Sequence, residues 1–156
     1  MFEVRVLGPI ELFDGSSPVR VPPAEQTVLA ALAARVGEPV AVDTLADALW
    51  PQGAPPSGRK SLQAHIVRLR RALGSGSIVE RDGSYRLDPD VVEVDAASVT
   101  HLVAQAREAL RGGDPDSAAG LLARAVATFR GTPYDGVPEG AVPVGEVQRL
   151  VELDEA

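Results

Sequence analysis

The stretch RKSLQAHIVRLRRAL, residues 59–73, constrains the fold more than any other part of this chain. Leu62, Ile66, Leu69 and Leu73 recur at spacings of 4, 3 and 4. At about 100° per residue this aligns them in one buried stripe of a helix. Lys60, Ala64, Val67, Arg68 and Arg71 then point away from the stripe, and Gln63, His65 and Arg70 lie on its flanks. The segment needs an apolar partner beneath it and leaves a basic face above. No Asp or Glu occurs between Asp47 and Glu80, although the chain has 22 acidic residues against 15 Lys and Arg and a net charge of −7. That balance opposes generic attraction to nucleic acid. It leaves room for one local positive face, because screening confines each charge to roughly 8–10 Å at physiological salt.

The flanking sequence supplies the partner. In FEVRV, Phe2, Val4 and Val6 alternate with Glu3 and Arg5, the period of a half-buried strand. IELF resumes it after Gly8-Pro9, Asp14-Gly15 makes a hairpin turn, and Val19–Val21 is expected to return. After Pro22-Pro23, AEQTVLAALAARVG places Val28, Leu29, Leu32 and Val36 at helical spacing and ends at Gly37. PVAV is a short extended link, and Asp43 is the expected cap of a helix that buries Leu45 and Leu49 and stops at Pro51. PQGAPPSG is a breaker-rich loop, with Ser57 the expected cap of the basic helix. IVER and SYRL, joined by Asp82-Gly83, form a second hairpin. The order of sheet, helix, short strand, helix, helix and hairpin predicts an α+β winged helix-turn-helix, with an N-terminal antiparallel sheet, three helices and a C-terminal hairpin.

DPDVVEVD is expected to be a boundary, dividing a domain over 1–90 from a second over 91–156. Beyond it, Val99, Leu102, Val103, Ala106 and Leu110 share one side of a helix that ends at Gly112-Gly113. Asp114 and Pro115 then suit a capping carboxylate and the first helical position. Ala118, Leu122, Ala125 and Phe129 stay in register along the next helix. Two antiparallel helices with a tight connection make an all-α, tetratricopeptide-like segment. TPYDGVPEGAVPVG is expected to be a linker before a final helix in EVQRLVELDEA. A helical-repeat array needs about three units to bury its faces, so the second region is expected to be incomplete.

Several chemistries lack the residues they need. The absence of cysteine removes disulfides and thiolate metal sites. Two histidines and scattered carboxylates suggest no metal centre, and GSGS is not followed by the Lys and Ser/Thr of a phosphate loop. No enzyme activity and no cofactor are expected. There is no apolar run of about 18 residues to span a membrane. MFEVRVLG carries Glu3 and Arg5 within its first apolar run, unlike a signal peptide, so no membrane association and a cytoplasmic location are expected.

RVLGPIELFDG, LADALWP, RKSLQAHIVRLRRAL and IVERDGSYRL, followed by VDAASVTHLVAQAREALRGGDPDSAAGLLARAVATFRG, together resemble the Streptomyces antibiotic regulatory protein (SARP) family. The resemblance implies an OmpR-type winged helix joined to a bacterial transcriptional activation domain that stops about halfway through its usual length. It implies a transcriptional activator that binds double-stranded promoter DNA, self-associates head to tail on direct repeats, and engages RNA polymerase. The basic helix would be the recognition helix, with Arg68 reading a base. Lys60, Ser61, His65 and Arg70 would contact phosphates, with Arg71 beside them and Gln63 on the flank of the same face. Arg81 would approach the minor groove from the wing, and the Trp50 indole would donate to a phosphate. Val67 departs from the arginine or serine common at its position, which removes a backbone contact or exchanges it for a thymine-methyl contact.

A second reading is an interaction module without autonomous DNA binding, in which both halves dock proteins. The outer face of the basic helix discriminates the two. Arginines tied up by carboxylates from elsewhere favour the module; arginines standing free favour DNA.

Overall fold

Alternation along β1 (Phe2–Arg5) buries Val4 and leaves Glu3 and Arg5 on the opposite face, where Arg5 Nε donates to Glu3 at 2.7 Å and its guanidinium lies 3.9 Å from the Phe13 ring centroid. The computed structural model describes residues 1–155. β2 (Glu11–Asp14) pairs antiparallel with β1, and β3 (Ser17–Val19) pairs antiparallel with β2. Gly15, at φ +60°, makes the turn between them tight, so pairing resumes at Ser17. The returning strand therefore lies two residues earlier than expected at Val19–Val21. Val21 is buried, but it leads out of the sheet toward the first helix.

α1 (Pro23–Ala33) starts on a proline whose missing N–H falls where none is needed, and it buries Val28, Leu29 and Leu32 completely. It ends a turn before Val36. Gly37, at φ +83°, then donates its N–H to Leu87 O at 3.0 Å. β4 (Val40–Ala41) leads straight into α2 (Val42–Leu49), so Asp43 sits inside the first turn and is not the cap. Its charge still suits the positive end of the helix. α3 (Gly58–Leu73) buries Leu62, Ile66, Leu69 and Leu73, each at 1% exposure or less, against α1 and α2. Ser57 stands at the N-cap position, but its side chain makes no capping bond.

The hairpin of β5 (Ile78–Arg81) and β6 (Ser84–Leu87) turns on Asp82 and Gly83, both at positive φ, and β6 also pairs with β4. This three-stranded sheet is the wing. β7 (Val92–Val94) occupies the segment expected to be a boundary, and it pairs parallel with β1. The N-terminal sheet thus has the order β3-β2-β1-β7, with one parallel strand added to the antiparallel three.

β7 runs directly into α4 (Asp95–Arg111), which packs antiparallel against α5 (Pro115–Thr128). Asp114 caps α5, accepting from Ser117 N at 3.1 Å. The segment expected to be a linker, residues 132–145, instead belongs to a strap over 129–143 that lies on the sheet, because α5 ends at Thr128, before Phe129, and α6 begins at Val144. Arg130 N donates to Leu7 O at 2.8 Å, Tyr134 N to Val6 O at 2.7 Å, and Asp135 N to Gly8 O at 3.2 Å. Tyr134, Ala141 and Val142 are buried there, and α6 (Val144–Glu155) follows with Leu150 fully buried. One hydrophobic core runs from the winged helix through Ala96, Val99 and Val103 to Ala125 and Leu150.

Asp95 closes this junction. It is 4% exposed, and its carboxylate accepts from Val6 N at 2.8 Å and from Leu7 N at 3.3 Å. Replacing it with alanine strands two buried N–H groups at about 1–3 kcal/mol each. Asp95→Ala is therefore expected to lower stability by about 2–6 kcal/mol in urea melts. Asp95→Asn keeps one acceptor and removes a buried charge, so its loss should be the smaller of the two.

Candidate nucleic-acid interface

The stripe that α3 buries dictates what it shows. With Leu62, Ile66, Leu69 and Leu73 beneath, Lys60, Gln63, Val67, Arg68 and Arg71 are exposed on the outer side, along a helix of about 24 Å. Lys60 and Arg71 make no ion pair or side-chain hydrogen bond among the described residues, and neither does Arg59 beside them. Arg59 was absent from the expected contact residues, although it opens the same basic run. Val67, 44% exposed, puts an apolar side chain near the centre of this face.

The remaining cations are engaged. Arg68 donates through Nε to Oε1 of Glu25, a side chain on α1 that is only 5% exposed, while the Arg68 side chain itself remains 51% exposed. His65 Nδ1 lies 3.0 Å from the same Glu25 oxygen and 2.9 Å from Arg68 Nη2. One ring nitrogen serves one of these two, donating to the carboxylate in one tautomer or accepting from the guanidinium in the other. Arg70 turns toward the wing, where its Nε and Nη2 donate to Ile78 O at 3.1 and 3.0 Å and its guanidinium lies 5.9 Å from the Tyr85 ring centroid. Arg70 thereby fastens α3 to β5.

Trp50 is half-buried at the end of α2 and packs at the start of α3: a Cβ added to Gly58 would lie 3.4 Å from its ring and 2.9 Å from the Ala54 Cβ. Ser61 is half-buried, its N–H bonded to Ser57 O. Arg81 stands at the wing tip with a side chain 90% exposed, and its 3.8 Å approach to the equally exposed Asp82 restrains it little.

Glu25 is the residue that sequence reasoning missed. Its signal was present: Glu25, Val28, Leu29 and Leu32 fall at i, i+3, i+4 and i+7, so a carboxylate sits in the buried row of α1. Burial pushes its carboxyl up, but hydrogen bonds from Arg68 and then His65 outweigh burial, and the net position is below the ordinary 4.5. A carboxyl lowered on folding adds stability that is fully present above its unfolded value and is lost as pH falls through its folded value. The stability difference between the wild-type chain and Glu25→Gln is therefore expected to narrow as pH falls below about pH 5. Urea melts across that fall in pH check it; a difference that persists undiminished at about pH 3 contradicts it.

Comparison with known proteins gives the same two regions. The family described as "Transcriptional regulatory protein, C terminal" matches residues 16–87, and "Bacterial transcriptional activator domain" matches residues 94–154. Regulatory protein AfsR of Streptomyces coelicolor is 32% identical over 148 residues, covering 93% of this chain and 14% of AfsR. Regulatory protein DnrI of Streptomyces peucetius is 28% identical over 162 residues, covering 96% of this chain and 60% of DnrI. The fold superposes on Mycobacterium tuberculosis EmbR, solved in complex with a low-affinity phosphopeptide, with a TM-score of 0.88 at 24% identity, covering 99% of this chain and 42% of that one. With an OmpR-type winged helix followed by a bacterial transcriptional activator domain, the chain belongs to the SARP family of transcriptional regulators.

Proposed function

We propose that this chain is a sequence-specific DNA-binding transcriptional activator, with residues 1–90 as the DNA-binding domain and 91–156 as part of the activation domain. The observation that carries the reading is the outer face of α3, where Arg59, Lys60 and Arg71 have no ion-pair partner among the described residues and surround a half-exposed Arg68. A helix fits lengthwise in a major groove about 12 Å wide, and cations on its rim meet phosphates there. Lys60, Ser61 and Arg71 dock the helix, with Arg59 and the Trp50 indole at its N-terminal end. Gln63, Val67 and Arg68 face the base edges, Arg68 with a fork that matches guanine. Arg81 reaches the adjacent minor groove or its phosphates from the wing. His65 and Arg70 act on DNA through the orientation of their neighbours, because Glu25 and the Ile78 carbonyl already hold them. Protomers bind direct repeats of a promoter, in the cytoplasm, and the helical region engages RNA polymerase, as the regulatory role of AfsR and DnrI supports.

The interaction-module reading draws on one specific observation, the Glu25 carboxylate on Arg68. Selection from random duplexes separates the two readings. A DNA-binding domain enriches a direct repeat; a pure docking module enriches nothing, even at low salt.

With about four phosphates neutralised per protomer, log K should fall against log salt with a slope near −3.6. Lys60→Ala is expected to reduce that slope by about one and to weaken all sequences alike. Arg70→Ala should instead lower the melting temperature and leave the slope nearly unchanged. A slope lowered equally by both variants would contradict the division between docking and structural cations.

A further inference from the structure

Packing alone gives Glu25 no reason to be charged. It sits in the apolar row of α1 with its side chain 5% exposed, where an ion is unfavourable unless paired and where an apolar side chain of similar size packs as well. Both of its partners, Arg68 and His65, are on α3. What Glu25 fixes is the Arg68 guanidinium, whose side chain is otherwise half in solvent. Glu25 takes the inner Nε edge, and His65 Nδ1 lies against Nη2. The Nη end of the fork is thereby aimed before any ligand arrives, so Arg68 has less rotamer freedom to lose on binding. The carboxylate also offsets the Arg68 charge locally while leaving its outward N–H donors available. Such an arginine is a weak point charge for phosphate and a directed donor for a base edge.

We infer that Glu25 is a positioning residue for sequence discrimination, holding the Arg68 guanidinium in its base-reading orientation and muting its attraction to phosphate. The inference rests on the DNA-binding reading of α3.

The test compares affinities for the duplex enriched by selection and for a random duplex, using the full chain. Glu25→Gln frees the Arg68 charge and loosens its orientation. It is expected to raise random-duplex affinity by roughly two- to threefold at low salt. It should lower the ratio of specific to random affinity by about tenfold. Both effects should vanish in an Arg68→Ala background. A merely structural role predicts otherwise: both duplexes weaken together, or the effects persist without Arg68, and either result overturns the inference. Should Glu25→Gln fail to fold, Glu25→Leu fills the apolar row and is read in the same way. Arg68→Lys, at an exposed position, keeps the charge and loses the fork; it should lose the ratio while random affinity holds, and an unchanged ratio overturns the inference. A wild-type chain that prefers no duplex brings down the DNA-binding reading and Glu25's role with it. A wild type that discriminates, beside a Glu25→Gln that discriminates equally, brings down only the latter.

Discussion

The backbone from Val6 to Gly8 is the seam on which the two regions become one body. Its N–H groups at Val6 and Leu7 go to the Asp95 carboxylate, and its carbonyls at Val6, Leu7 and Gly8 accept from Tyr134, Arg130 and Asp135. A buried strand end with those groups unpaired would be strongly unfavourable. The winged-helix region does not supply the partners; the second region does, from the first residue of α4 and from the strap. Gly8 belongs to the same arrangement. At φ +153° it lies against Arg130, and a Cβ there would come within 3.1 Å of that side chain. Arg130 in turn donates to Glu11 and, at 2.9 Å, to Pro9 O. Motion of the helical pair is thus tied to the N-terminal sheet through hydrogen bonds as well as through the shared core.

Asp95 and Glu25 are two solutions to one problem, a carboxylate out of water. Burial pushes the Asp95 carboxyl up, and the backbone N–H groups of Val6 and Leu7 only partly oppose that. Burial also pushes Glu25 up, but an arginine and a histidine reverse the sign. The difference follows from the donors: neutral amides satisfy lone pairs, whereas a guanidinium also supplies opposite charge. An ionised Asp95 therefore detracts from stability as pH rises through its folded-state value, and an ionised Glu25 adds to it above its unfolded value. Asp95 is suited to joining backbone to backbone. Glu25 is suited to gripping a side chain that must stay partly exposed.

Legibility in the sequence followed the range of the interaction. The α3 stripe, the Asp82-Gly83 turn and the Asp114 cap depend on residues within a few positions, and each lies where local spacing puts it. The caps at Asp43 and Ser57 failed because β4 runs into α2 with no intervening residue and because Ser57 is turned away from a capping geometry. β7 alternates Val92, Glu93 and Val94 as a strand should, but three residues carry little signal and the pairing partner lies some ninety positions earlier. Pro and Gly dominate the strap and give it the composition of a linker; its hydrogen bonds go to Val6, Leu7 and Gly8, which nothing local announces. The basic face of the candidate site was plain in the charge map. The roles of its arginines were not, since Arg68 and Arg70 differ only in what α1 and β5 place beside them.

That difference sets how much unpaired positive charge the basic ridge of this chain, of net charge −7, presents. Of the five Lys and Arg on α3, one is fastened to the Ile78 carbonyl and one is held by Glu25, so three remain unpaired among the described residues. Few free charges keep the sequence-independent attraction shallow, since that attraction scales with the phosphates neutralised. Under the proposed reading the held arginine loses long-range pull but keeps a directed fork, which contributes only where a base edge matches. On the proposed DNA-binding reading, specificity on this scaffold arises less from adding contacts to the right sequence than from withholding charge from all the others.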